Sequence, residues 1–176
     1  DYPFKFISNG IFGYIAHDAV RYFEQLKLDQ NKPGQGIPDI YYAVYQNIIA
    51  ISLFNHEAHL FSHSLDGEHN IEHIEQLING KKQPNFGFKK TGDKRSNLTD
   101  DQFLEFVHKG KQHCHRGDVF QLVLSRRFSQ RFKGDEFNVY RTLRSINPSP
   151  YLFYFDYGDF KIFGSSPEAQ LIVTDG

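Results

Sequence analysis

The side chains with the clearest chemical potential stand near the end of the chain, in Ser165-Ser166-Pro167-Glu168. Proline fixes the backbone directly ahead of a carboxylate, and apolar runs flank the motif on both sides. One reading is a partly desolvated glutamate, whose raised pKa makes it a general acid near neutral pH. The other is a turn glutamate in water, which composition alone favours. A second position is Gln121, set in the apolar run 119–128. Strand alternation places Val119, Gln121, Val123, Ser125 and Arg127 on one face. A glutamine amid valines needs hydrogen-bond partners, from the protein or from a ligand. It can orient a nucleophile or a substrate, but it cannot serve as a base.

Nine histidines invite a metal reading. His56, His59 and His63 are spaced by three and four residues, and His69 and His73 follow. His56-Glu57-Ala58-His59 is one residue short of the HExxH zinc motif. On a hairpin, His59 and His63 share a face while His56 lies in the turn, so no tetrahedral site is evident and surface histidines are favoured. Cys114 stands between His113 and His115 with no second cysteine, so zinc is not expected there, and no metal site is assigned within the chain.

These groups must be positioned by a chain of 176 residues, enough for one large domain or pieces of two. Lysine plus arginine number 20 and aspartate plus glutamate 21, for a net charge of −1. That balance excludes a dominant basic footprint for nucleic acid. Aromatics at 16% exclude a disordered chain. No apolar run approaches the roughly 18–20 residues that span a bilayer. One cysteine permits no intrachain disulfide framework, which fits a reducing, cytoplasmic compartment. The chain has no methionine, and Ile172-Val173-Thr174-Asp175-Gly176 reads as a strand ending at its own turn. Both features predict a natural protein that continues; a processed small protein is the alternative.

The pattern predicts a strand over 4–15 and a short helix over 18–28 with Asp18 as N-cap. A loop over 31–38 follows, then strands over 41–54 and 59–65 forming a hairpin. A helix whose apolar face is Ile71, Ile74, Leu77 and Ile78 stops at Gly80. Residues 81–98 hold six lysines and arginines and read as a linker, so 1–80 and 99–176 are separate domain portions. Thr99 and Gln102 form a capping-box pattern for a helix that Gly117 ends. A strand over 119–128 is followed by a helix capped by Asp135 and broken by Asn147-Pro148-Ser149-Pro150. Strands over 151–155, 160–164 and 169–173 complete the chain. Hairpins between helices predict an α+β fold with antiparallel sheets rather than βαβ repeats.

Three segments, in order, carry a family resemblance. The first runs from Gly10-Ile11-Phe12-Gly13-Tyr14 through Asp18-Ala19-Val20-Arg21-Tyr22-Phe23-Glu24. The second is Gly117-Asp118-Val119-Phe120-Gln121-Leu122-Val123-Leu124-Ser125-Arg126-Arg127-Phe128. The third joins Asn147-Pro148-Ser149-Pro150-Tyr151-Leu152-Phe153 to Phe163-Gly164-Ser165-Ser166-Pro167-Glu168. The last two together are highly specific. The chain resembles the chorismate-utilising enzyme family, in its anthranilate synthase component I branch, over essentially its whole length.

The resemblance implies an internal portion of a large subunit about three times longer. Residues 1–80 would be the latter part of an amino-terminal, effector-side domain, and 99–176 the opening of the chorismate-binding domain. It implies conversion of chorismate and ammonia to anthranilate and pyruvate, with ammonia from a glutamine amidotransferase subunit. Glu168 matches the family acid that protonates the leaving hydroxyl. Gln121 stands where water-adding relatives carry a lysine base, so glutamine there favours amination. Pro150, Tyr151 and Leu152 match one wall of a tryptophan-inhibitor pocket; many members have methionine at the third position, a swap of low cost. Magnesium is implied as cofactor, with ligands outside this chain, so the isolated chain would be inactive. The alternatives are 4-amino-4-deoxychorismate synthase component I and a non-catalytic ligand-sensing or subunit-docking module.

Overall fold

A computed structural model describes residues 7–28, 36–80 and 86–173. Among the described residues the elements are eight strands, three α-helices and one 3-10 stretch, and the strands pair two by two into four sheets. This is an α+β architecture. By contact density the chain divides into two units, Asp1–Gln83 with Phe155–Ile162, and Pro84–Tyr154 with Phe163–Gly176.

In the first unit, β1 (Ile11–Ile15) pairs with β2 (Ile40–Val44), and Gly13 faces Tyr42. A Cβ on Gly13 would stand 2.0 Å from the Tyr41 carbonyl oxygen, so the close approach of the two backbones requires glycine there. The helix expected over 18–28 is instead a single 3-10 stretch, His17–Tyr22, capped by Ala16. It buries only Ala19, too little apolar face to sustain more turns. Asp39 accepts hydrogen bonds from the Tyr22 hydroxyl and the Arg21 guanidinium, tying the stretch to the start of β2.

The strand expected over 41–54 is two strands in different sheets. β3 (Asn47–Ser52) pairs with β4 (Glu57–Ser62) around a turn in which His56 has a φ of 58°. Helix α1 (Ile71–Asn79) follows and stops at Gly80, as its periodicity predicts. Tyr157 and Phe160 complete the unit: Tyr157 lies 4.3 Å from Tyr41 between ring centroids, and both pack near Tyr14. The loop expected over 31–38 falls mostly outside the described residues, as does the opening of the first strand.

In the second unit, β5 (Phe88–Ser96) pairs with β6 (Phe128–Gly134), with an irregular register between Thr91 and Arg95. Half of the segment expected as a linker, residues 88–96, is therefore strand; its charge is what an edge exposed to water tolerates. Helix α2 (Asp100–Arg116) has the expected capping box, Thr99 and Gln102 each accepting the other's backbone N–H, and ends at left-handed Gly117. The expected strand over 119–128 is corrected: β6 begins only at Phe128, and 119–127 has no ladder partner among the described residues. An apolar run becomes a strand only where a neighbour accepts its backbone hydrogen bonds. Helix α3 (Phe137–Ile146) has Glu136 at its cap position, and one residue earlier the Asp135 carboxylate accepts from the Phe137 amide at 2.9 Å. It lays Phe137 and Tyr140 against Tyr154 and Phe163 of the hairpin β7 (Tyr151–Asp156) and β8 (Lys161–Ser166). The strand expected over 169–173 does not form.

Neither unit has a deep core. Among the described residues only Ala19 and Gly110 are buried, while Phe54, Leu65 and Phe120 are essentially fully exposed. The accessible surface is 15767 Å². Two compact domains sharing the chain's mass would together expose about 10,700 Å². That surface is far larger than two compact domains of this mass expose, and large apolar side chains such as Phe54, Leu65 and Phe120 are part of it.

Candidate active site

The 119–127 segment is pinned at both ends. At its start, the Asp118 carboxylate accepts from Arg116 at 2.8 and 3.0 Å and lies 2.8 Å from His113 Nδ1. Those partners hold its pKa below the ordinary carboxylate value, the Arg116 bond most strongly. At its end, Arg126 donates to Ser96 Oγ at 2.8 Å and to Asp100 Oδ1, and its guanidinium lies 4.7 Å from the Phe128 ring centroid. In the middle, Leu122 and Leu124 seat on α2 at Gly110, where an added Cβ would meet Leu122 at 2.9 Å.

That seat decides where Gln121 points. Leu122 and Leu124 face α2, and Gln121 and Val123 beside them are exposed, Val123 at 82%. The expected placement of Gln121 on one strand face with Val119, Val123, Ser125 and Arg127 is corrected, since 119–127 is not a strand and Gln121 is exposed. Its amide makes no hydrogen bond within the described residues and is available to a ligand.

Glu168 lies just past β8. The Ser166 hydroxyl accepts from the Glu168 amide at 3.4 Å and donates to the Glu168 carbonyl at 3.0 Å, closing a tight turn around Pro167. The Glu168 side chain is exposed and makes no hydrogen bond or ion pair among the described residues. Of the two readings of Glu168, its exposure matches the turn glutamate in water that composition favours, because no described element covers the carboxylate. Gln121 and Glu168 belong to the same unit.

Pro150, Tyr151 and Leu152 open β7 but do not form one surface. Leu152 shares the α3-facing side with Tyr154, whereas Tyr151 and Phe153 point to the open side. The Phe153 ring covers Gly164 of β8, where an added Cβ would meet it at 2.7 Å.

Among the described residues no group of three or more metal-ligating side chains forms. His63 Nε2 lies 2.8 Å from the Ser8 carbonyl and His59 lies 3.6 Å from Glu57, so the histidines have separate partners. The described residues also offer no acidic cluster suited to magnesium, and no step assigned to this chain passes through that ion. No helix among them is long and apolar enough to cross a membrane.

Sequence reasoning missed Gly110 and Arg126. A lone glycine inside a helical pattern was the available signal for the first, since it marks a close approach. It also missed the polar junction at Ser165, whose hydroxyl lies 2.7 Å from the Asn147 carbonyl and 2.8 Å from Ser149 Oγ.

Comparison with known proteins matches this arrangement. Residues 2–176 fit the family model described as chorismate binding enzyme. Anthranilate synthase component 1 of Aquifex aeolicus is 32% identical over 185 residues, covering 95% of this chain and 36% of that protein. The protein of the same name from Neisseria meningitidis serogroup B is 34% identical over 92% of this chain and 35% of its own length. The crystal structure of anthranilate synthase component I from Streptococcus pneumoniae superposes with a TM-score of 0.72 at 27% identity, over 100% of this chain and 42% of that one. The chain thus spans little more than a third of the curated relatives it matches. With the family model running almost from end to end and the fold superposing along the whole chain, this protein belongs to the chorismate binding enzyme family.

Proposed function

We propose that this chain forms part of the large subunit of an anthranilate synthase. Chorismate and ammonia give anthranilate, pyruvate and water. Ammonia adds at ring carbon 2, the carbon-4 hydroxyl leaves as water, and loss of the carbon-2 proton with the enolpyruvyl group yields the aromatic ring and pyruvate. Hydroxide is a poor leaving group, so an acid must protonate it. Glu168 serves as that acid, fixed in place by the Ser166 turn. Gln121 orients the nucleophile or the ring from its exposed position in 119–127. Ammonia is nucleophilic without a base, which suits an amide there.

A glutamine amidotransferase subunit supplies the ammonia, and tryptophan inhibits through a pocket to which Tyr151 contributes from the open side of β7. Magnesium, if the family pattern extends to this protein, is held by residues other than those described. The observation that carries the proposal is the end-to-end family match together with relatives named as anthranilate synthase component 1. The large apolar side chains left exposed among the described residues support a chain that works within a larger subunit.

The test is product analysis with the full-length protein that carries this chain, supplied with chorismate, ammonium and magnesium. Anthranilate is expected, and Glu168→Gln should lower turnover by roughly 10²–10⁴. Accumulation of 4-amino-4-deoxychorismate instead would overturn the assignment. Near-normal turnover of the variant would return Glu168 to a turn residue.

A further inference from the structure

The ribbon formed by β5 and β6 departs in charge from the rest of the chain. Residues 86–98 and 127–134 hold seven lysines and arginines against one acid, Asp93. The whole chain has a net charge of −1, so its remainder is correspondingly acidic.

The ladder sorts these charges by side. Lys89 stands opposite Lys133, Thr91 opposite Arg131, and Arg95 opposite Ser129. Partners across a ladder share a face, and alternate residues of one strand do too, so Lys89, Arg95, Arg131 and Lys133 lie together on one side of the ribbon. All four are exposed, and none makes an ion pair among the described residues. Asp93 falls in the irregular stretch between Thr91 and Arg95 and pairs with none of them. The other side is aromatic. Phe88 stacks on Phe132 at 5.3 Å and lines a groove with Val139 and Leu143 of α3. The basic side is thus turned away from α3.

Two features separate this side from ordinary solvated charge. Edge protection needs charge along a strand, but it does not ask for cations set opposite one another. Lys89 against Lys133 weakens the ladder by like-charge repulsion. From Ser129 to Lys133 the ribbon advances only about 14 Å. Neighbouring cations therefore lie within about one Debye length, roughly 10 Å, and build a common potential.

We propose that this side of the β5–β6 ribbon is a docking surface for a partner protein that presents a cluster of aspartates and glutamates. Carboxylates seated there offset the Lys89–Lys133 repulsion, and Arg95 and Arg131 offer planar forks for bidentate pairing. Nucleic acid fits less well. Tight binding to a duplex uses about 6–10 phosphate contacts, more than this patch supplies. The rings that could stack bases lie on the opposite side. A long polyanion would also meet the acidic remainder of the chain. The inference is independent of the proposed reaction.

The experiment titrates the full-length protein that carries this chain into a fluorescein-labelled deca-glutamate peptide and reads anisotropy. Wild type should bind, with affinity falling at least about tenfold from about 50 to about 200 mM salt. Lys133→Glu should weaken binding at least about tenfold. That variant sets an acid opposite Lys89, so repulsion becomes attraction and its urea midpoint should not fall below wild type. Lys90 stands opposite Phe132 on the aromatic side. Lys90→Glu makes the same change in net charge and should alter affinity less than about threefold.

No binding by wild type at low salt overturns the inference, as does wild-type affinity in Lys133→Glu. An equal loss in Lys90→Glu overturns it too, because net charge rather than this side then governs binding. Duplex DNA of about 20 base pairs held more tightly than the peptide overturns it in favour of a nucleic-acid surface. If Lys133→Glu lowers the urea midpoint, Arg131→Gln carries the test, and unaltered peptide binding in that variant overturns the inference.

Discussion

Replacing Gly110 by alanine sets helix propensity against the seat of the 119–127 segment. Glycine inside α2 costs about 1 kcal/mol relative to alanine, so the substitution begins with a gain of that size. The new methyl would lie 2.9 Å from Leu122 Cδ2 and 3.5 Å from Leu124 Cδ1. Ordinary carbon contacts begin near about 3.5–4.0 Å, so Leu122 must retreat by roughly 0.6–1 Å. It is 44% exposed and free to swing outward. An off-rotamer side chain costs about 0.5–1.5 kcal/mol, which roughly cancels the gain. Stability of the full-length protein should therefore stay within about 1 kcal/mol of wild type. Turnover should not. Leu122 is bonded to Gln121, and misplacement by about 1 Å at a reacting centre costs up to about 10² in rate. We expect kcat for anthranilate to fall about tenfold, read by product fluorescence beside urea unfolding of the same sample. Wild-type turnover at wild-type stability would refute the idea that Gly110 seats Gln121. A stability loss above about 3 kcal/mol would show that Leu122 cannot yield.

Tyr151→Ala removes an aromatic face, worth roughly 0.5–1.5 kcal/mol beyond area. The tryptophan concentration at half inhibition, relative to the variant's own uninhibited rate, should rise about two- to tenfold, and an unmoved curve would take Tyr151 out of the effector site. The Asp39 carboxyl is held below its ordinary value by the Tyr22 hydroxyl and then by Arg21. Its stabilisation is present above the unfolded value of about 3.9 and is lost as pH falls through the lowered folded value. Asp39→Asn should flatten the acid limb of a stability–pH curve below about pH 4, and an unchanged limb would show that the tie contributes nothing. The isolated 176-residue chain should form no anthranilate from chorismate, ammonium and magnesium; measurable product would show that its exposed faces need no cover.

Features set by a few adjacent residues were legible in the sequence. The Thr99–Gln102 capping box, the stop at Gly117 and the break at the Asn147-Pro148-Ser149-Pro150 run depend on local backbone chemistry, and each stands where its residues place it. The hairpin 151–166 was equally plain from its turn at Tyr157-Gly158-Asp159. Features set by a partner were not. Residues 119–127 have the composition of a buried strand, yet a ladder is a property of two segments, and no described neighbour supplies the second. For the same reason Gln121 and Glu168 were identifiable by chemical type, while the exposure of Gln121 was not: burial belongs to whatever covers a side chain. The 3-10 stretch at 17–22 shows the converse, a helical spacing with too little surface behind it. The Ser165 junction spans 18 residues between donor and acceptor, and no local pattern announces it.

The aromatic cluster of the first unit draws Tyr14 and Tyr41 from one end of the chain and Tyr157 and Phe160 from the other. On a ribosome, the segment through residue 83 emerges roughly 70 residues before its missing piece, a delay of about 4–15 s at ordinary synthesis rates. During that interval Tyr14 and Tyr41 have no rings to close against. The unit therefore cannot close this aromatic cluster until the last of its residues has been made.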